Sequence, residues 1–214
     1  MTDIYDRKDY YEKYLTEKKV DLKDELDLAG LETQINLDTK SFTDFMQEHR
    51  SESLQKSFKP RPFFDFDSLR QTTFLNDLGY NEHNTFEYNL GIKEEHNTSL
   101  KNMLGNGAFD HLQIEKSTAV VRLLEYKPGN GIPLHTDSYH AFREKNKNRN
   151  GSIHRYFIAV SEWSWGHFLQ VHNHMIHHWK PGYVCEIPEG VFHLSANFGI
   201  QTKLSLTLTG FRPI

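Results

Sequence analysis

A histidine and an aspartate stand two residues apart in "IPLHTDS" (132–138), just past a glycine-rich turn and just before a long polar stretch. Residues two apart on an extended chain point to the same side, so His135 and Asp137 can bring an imidazole and a carboxylate to one point from a strand end. The pair alone fits a polar surface turn as well as half of a metal site. A third ligand would turn it into chemistry, because two histidines and one carboxylate can occupy one face of an octahedral iron and leave three positions open. His193 lies 58 residues later, in "PEGVFHLSANFG". The Glu189-Gly190 turn before it can fold its strand back beside the first.

The last apolar segment supplies a different group. In "TKLSLTLTG", Lys203, Ser205, Thr207 and Thr209 share one strand face and Leu204, Leu206 and Leu208 the other. A lysine at the head of an otherwise uncharged polar stripe, on a buried strand, calls for an anionic partner. Tyr126, Arg122 and Arg155 also fall on expected strands; each is either structural or faces a ligand. The histidines of "VHNHMIHHW" (171–179) match no standard zinc spacing and are expected on a solvated hairpin. Trp163 and Trp165 are expected in the core, with a substrate-pocket floor as the other use for one of them, and Cys185 is expected as a buried, inert thiol.

Positioning these groups requires strands. From residue 115 onward the hydrophobic period is two, in "TAVVRLLEY", "HRYFIAVSE", "HFLQVHN", "MIHHW", "YVCEIP", "FHLSANF" and "TKLSLTLTGF". Turn signals at Pro128-Gly129, Asn150-Gly151, Pro181-Gly182 and Glu189-Gly190 separate several of them. Many short strands with tight turns predict a sandwich or jelly roll. Residues 1–114 carry helical and irregular signals instead. Tyr10, Tyr11 and Leu15 recur at helical spacing, Ser41 with Asp44 suggests a helix start, and Asp67 opens a segment that Gly79 would stop. Residues 80–114 are expected as loops with one short helix near Ser99 to Leu104. The expectation is a helical or irregular region, 1–114, packed on a β core, 115–214, as one integrated domain.

Bulk properties narrow the function. The 214 residues carry a formal net charge of −4, which gives no basis for general nucleic-acid binding. The single cysteine excludes an intrachain disulfide and fits a reducing compartment. No apolar run approaches a bilayer span and the charged start is unlike a signal peptide, so a cytoplasmic location and no membrane partner are expected.

His135-Thr136-Asp137, the distal His193 and Lys203-Leu204-Ser205, ten residues after that histidine, together resemble the iron(II)- and 2-oxoglutarate-dependent dioxygenases. "EYKPGNGIPLHTD" is similar to the entry segment of prolyl-hydroxylase-type members. The run through His193, Asn197 and Lys203 is similar to the aspartyl/asparaginyl β-hydroxylase branch. The resemblance spans about residues 118–211 and implies a mainly β (α+β) fold whose core is a double-stranded β-helix, the cupin-like jelly roll. It implies iron(II) on His135, Asp137 and His193, with O2 and 2-oxoglutarate as co-substrates. The far carboxylate of 2-oxoglutarate would meet Lys203, Ser205 and Tyr126. The usual anchor is arginine, which grips a carboxylate bidentately where lysine offers a point charge, so Arg122 and Arg155 stay open as anchors. The implied reaction couples formation of succinate and CO2 to hydroxylation of an unactivated C–H bond, in a small molecule or a peptidyl residue. The loop 141–152 would be a lid, and the N-terminal region would shape the pocket and the contacts of a homodimer. Two other functions fit the same pattern: a cupin-like metal enzyme that does not use 2-oxoglutarate, such as an isomerase or thiol dioxygenase, and a non-catalytic binding module.

Overall fold

The computed structural model describes residues 31–57, 76, 86–137, 139–147 and 151–213. The helical signals around Tyr10, Tyr11 and Leu15 and in the segment from Asp67 to Gly79 lie outside the described residues, residue 76 apart. Among the described residues no helix is long and apolar enough to cross a membrane.

Among the described residues ten of eleven strands form one continuous antiparallel path, and the eleventh pairs with β3 beside it. They are β1 (Glu32–Gln34), β2 (Leu54–Ser57), β3 (Phe86–Leu90), β4 (Val120–Tyr126), β5 (Gly131–His135), β6 (Ser152–Ala159), β7 (His167–Val171), β8 (His174–Ile176), β9 (Tyr183–Glu186), β10 (His193–Asn197) and β11 (Lys203–Arg212). The path divides into two sheets. One runs β1-β9-β6-β11-β4 and the other β5-β10-β7-β8. From β4 onward, successive stretches of chain alternate between the two, which is the winding of a double-stranded β-helix. β3 pairs with both β4 and β5 and joins the sheets along one side, with β2 on its outer edge.

The residues explain why β11 lies at the centre of its sheet. Leu206 and Leu208 are fully buried on its outer face, while Lys203 and Ser205 are fully buried on its inner face. The outer leucines pack with Val121, Leu123 and Ile158 against two helices, α1 (Thr39–Glu48) and α2 (Glu94–Leu112). Phe42 and Met46, one helical turn apart on α1, and Leu100, Leu104, Ala108 and Leu112 on α2 form the facing apolar stripe. A third helix, α3 (His140–Lys145), follows the His135/Asp137 motif directly.

Several boundaries differ from the sequence reading. The cap of α1 is Asp38, not Ser41; Asp38 accepts from the Ser41 amide at 3.3 Å and from the Ser41 hydroxyl at 2.6 Å, while Asp44 pairs with Lys40. Residues 94–112, expected mostly as loop, form one helix kinked at Gly105. Its Asn and Gly content is locally unfavourable, and burial of its leucine stripe outweighs that. The β7–β8 hairpin turns at His172-Asn173, and His172 is buried rather than solvated. Of the two tryptophans, Trp163 packs against the core, whereas Trp165 is 80% exposed. Cys185 is fully buried, and burial pushes its thiol up to about 12. β1, β2 and β3 come from the region read as helical and irregular, and all three pair into the barrel's sheets. Gly182 permits the first of these contacts: a Cβ there would sit 2.1 Å from the Ile35 carbonyl, and Gly182 has φ +83°.

Candidate metal centre

The register of β5 and β10 sets the centre. The strands run antiparallel with His193 opposite His135, and Asp137 follows two residues beyond the end of β5. The three side chains converge. His193 Nε2 lies 3.2 Å and His135 Nε2 3.9 Å from the carboxylate oxygens of Asp137, and one ligand atom from each of the three lies within 4.8 Å of the others. Two ligands at about 2.0–2.2 Å from a single ion stand about 3–3.5 Å apart, so the spacing is close to what one cation needs.

The hydrogen bonds fix which nitrogens face inward. His135 Nδ1 is 2.8 Å from the Pro133 carbonyl and His193 Nδ1 is 3.0 Å from the Val191 carbonyl. A carbonyl can only accept, so each Nδ1 donates, and in a neutral ring Nε2 then carries the lone pair. Two imidazole lone pairs and a carboxylate facing one another repel unless a proton between His193 and Asp137, or a cation among all three, relieves them. The donor set therefore fits a divalent metal held by imidazole and carboxylate, and such a three-ligand face leaves positions open. Arg155 Nε stands 2.9 Å from Asp137 Oδ2. Burial opposes ionisation of Asp137, but the Arg155 guanidinium together with His193 and His135 outweighs it and holds the carboxyl well below the usual range. Tyr139, which the sequence did not single out, is buried beside this group, and burial raises its hydroxyl pKa.

A cavity runs from these ligands into the barrel. His135, His193, Arg122, Arg155, Asn89 and Thr207 line it together with Tyr126, Ser195 and Ser205. Behind the lining residue Ser195 stands Lys203, which is fully buried. Lys203 Nζ donates to the Phe168 carbonyl at 2.5 Å and to Ser195 Oγ at 2.7 Å, with the rings of Tyr126, Trp179 and Phe157 at 5.0, 5.4 and 5.5 Å. Ser205 Oγ is buried in the same wall with no hydrogen-bond partner among the described residues. Asn197 is fully buried and donates to the carbonyls of Tyr126 and Gln201 at 2.8 and 2.7 Å. Outside the cavity lining, Arg143 of α3 donates from one nitrogen to both carboxylate oxygens of Glu189, in the turn before His193.

The structure thus brings His135, Asp137 and His193 together, with Arg155 against Asp137. It places Tyr126, Ser205 and Arg122 in the cavity wall. Trp163, Trp165 and the histidines of 172–178 do not line that cavity. A second group, His49, Glu52 and His96, also has metal-ligand proximity. There Lys93 already donates to Glu52 at 2.6 Å and His49 Nδ1 lies 3.0 Å from it, so the group is satisfied as an ion-pair knot between α1 and α2. Its only sequence signal is the spacing of His49 and Glu52; His96 arrives through the fold.

No family model matches the chain, and no curated protein matches it. Solved structures do. A prolyl-4-hydroxylase from Pseudomonas putida matches at 12% identity and a TM-score of 0.47, over 87% of this chain and 95% of that one. A double-stranded β-helix protein from Klebsiella pneumoniae matches at 15% identity and a TM-score of 0.31, over 43% of this chain and 66% of that one. A predicted oxalate decarboxylase from Thermotoga maritima matches at 12% identity and a TM-score of 0.34, over 59% and 81%. The chain itself is a double-stranded β-helix protein with a cupin-like jelly-roll core.

Proposed function

We propose that this protein is an iron(II)- and 2-oxoglutarate-dependent dioxygenase that hydroxylates an unactivated C–H bond. The observation that carries the reading is the depth of Lys203. Its ammonium bonds Ser195, which lies two residues deeper along β10 than His193. Two strand residues span about 7 Å, the scale of a five-carbon dicarboxylate stretched between a metal and a cation. Ser205 adds a buried hydroxyl in want of a partner along that path.

In this reading His135, Asp137 and His193 hold the iron, and their fixed Nδ1 bonds keep both rings oriented. Lys203 and Ser205 hold the far carboxylate of 2-oxoglutarate, and Tyr126 walls it in. When bound, the iron and the keto acid supply dioxygen activation, with 2-oxoglutarate converted to succinate and CO2. Arg155 keeps Asp137 ionised, and the burial of Asn197 and Lys203 behind the lining excludes water. α3 and the Glu189 turn, joined by Arg143, form the rim that a substrate must pass.

The test is anaerobic addition of iron(II) and then 2-oxoglutarate to the purified protein, followed by exposure to oxygen. A weak visible absorption band and release of succinate are expected. A folded protein that binds iron without the band points to the cupin-like alternative and removes this proposal.

A further inference from the structure

A second constellation lies on the other side of β6 from the metal centre. Successive strand residues point to opposite faces. Arg155 turns into the cavity, so Ser152 and His154 share the outer face of the sheet. β9 brings a carboxylate to them. Glu186 stands opposite Tyr156 in the ladder, and the Ile187 amide donates to the Arg155 carbonyl at 2.7 Å. Directly opposite residues share a face, so Glu186 joins His154. The result is a chain of two short bonds. His154 Nδ1 lies 2.7 Å from Glu186 Oε1, and His154 Nε2 lies 2.7 Å from Ser152 Oγ. A carboxylate can only accept, so Nδ1 carries the proton and Nε2 the lone pair. Ser152 therefore donates its hydroxyl proton to Nε2. Carboxylate, Nδ1–H, Nε2 and serine hydroxyl follow in the order that turns a serine into a nucleophile. A polar tie between β6 and β9 would be complete with the His154–Glu186 bond alone. Ser152 is exposed while His154 and Glu186 are half-buried, so the oxygen faces solvent with its base held behind it. Gly151 fixes the strand start, because a Cβ there would sit 2.5 Å from the Arg212 carbonyl. Arg212 is opposite Ser152 on β11, donates to the Tyr156 hydroxyl at 2.8 Å and stands 3.9 Å from Glu186 Oε2. It puts a cation on the face where an attacked carbonyl oxygen gains negative charge.

We propose that Ser152, His154 and Glu186 form a hydrolytic site for small carboxylic esters, independent of the metal centre. Ser152 Oγ bonds the acyl carbon as its proton passes to His154 Nε2. The imidazolium gives that proton to the alcohol oxygen as the ester carbon–oxygen bond breaks. Water then attacks the acyl-serine and loses a proton to His154, which passes it to Ser152 Oγ as the carboxylic acid leaves. Ester and water become acid and alcohol, with no change of oxidation state. Glu186 touches no substrate; it is a positioning residue that holds the tautomer and plane of the ring. Ser152 stands at an exposed strand end and not in the barrel, so the acyl group it takes is short.

The experiment uses the full chain treated with EDTA, so that no metal-bound water contributes. The probes are a fluorophosphonate, which labels activated serines, and p-nitrophenyl acetate. The fluorophosphonate should add a single group per chain, mapped to Ser152 by peptide mass. Hydrolysis of p-nitrophenyl acetate should saturate and begin with a burst of about one nitrophenol per chain, the mark of an acyl-enzyme. Ser152→Ala should lose the label and at least 100-fold in kcat/KM while keeping the wild-type Tm. Glu186→Gln should lower kcat at least tenfold with KM within threefold. The 15N spectrum of His154 should show the Nδ1-protonated tautomer in the wild type and lose it in Glu186→Gln, which a merely structural Glu186 would not bring about. If Glu186→Gln melts early, the wild-type label and Ser152→Ala decide alone. No label on the folded wild type, a label that maps elsewhere, or wild-type ester hydrolysis by Ser152→Ala overturns the proposal. So does hydrolysis that EDTA abolishes and cobalt(II) restores, which would assign the activity to the metal centre.

Discussion

Lys203 Nζ lies 2.7 Å from Ser195 Oγ, and the two residues belong to opposite sheets of the barrel. The bond crosses the interior and marks how deep the cavity reaches. Burying an ammonium is costly unless its donors are used, and here the Phe168 carbonyl and Ser195 take up two of them. A carboxylate arriving from the metal side finds the charge already in place.

Lys203→Met keeps most of the volume and removes the charge. A hydrogen bond to a charged group contributes roughly 1.5–3 kcal/mol, so the half-saturating concentration of 2-oxoglutarate should rise by about one to two orders of magnitude. Metal affinity should stay unchanged, because Lys203 is not a ligand. Titration of the visible band checks both. An unchanged requirement would move the anchor to Arg122.

Replacing His135, Asp137 or His193 by Ala should each weaken cobalt(II) or iron(II) binding by more than the roughly 10- to 100-fold typical of outer-shell changes. His49→Ala should leave that binding as it is. Cobalt absorption spectra of the four variants measure this. A strong loss in His49→Ala would make the α1–α2 group a metal site after all.

Glu52 supplies a pH test of stability. Hydrogen bonds from Lys93 and then His49 hold its carboxyl down to about 2 against burial, with the charges of Lys93 and His96 assisting. Its folded-state pKa is below the unfolded value, so its contribution is present above about pH 4.5 and fades as pH falls toward 2. Glu52→Gln should lower Tm at pH 6, and the gap to wild type should close between pH 4.5 and 2. A gap that persists at pH 2 would show that the ion-pair knot is not the cause.

Gly166 and Gly199 bring two turns together below the barrel floor. A Cβ on Gly166 would sit 2.1 Å from the Gly199 amide nitrogen, and Gly166 has φ +89°. Gly166→Ala should therefore cost at least the roughly 1–3 kcal/mol of a strained backbone position, read as a fall in the urea midpoint.

Most strands after residue 115 were legible because they alternate faces, and several end in a glycine or proline turn. β5 was legible only at its end, where His135 stands. "GIPLH" carries Pro133 and shows little alternation of its own, and pairing with β10 makes it a strand. α2 was obscured by its own Asn and Gly residues; its leucine stripe needs the outer face of β11 to count as a helix signal. The residue types of the metal centre were legible, since His135, Asp137 and His193 are the types that ligate. The placement of Lys203, Arg122 and Arg155 along the barrel was not, because it depends on ladder register, which local sequence does not carry. The same holds for Tyr139 and for His96, brought to their neighbours by chain pairing alone.

The burial of Lys203, Asn197 and Trp179 behind the cavity lining has a kinetic consequence. In the proposed activity both substrates enter from the side of the metal ligands. For the proposed activity, the occupant of the inner berth must arrive first and depart last, and an outer occupant bound too early becomes a plug. Steady-state rates should then follow a compulsory order, with the outer substrate inhibiting at high concentration when 2-oxoglutarate is scarce.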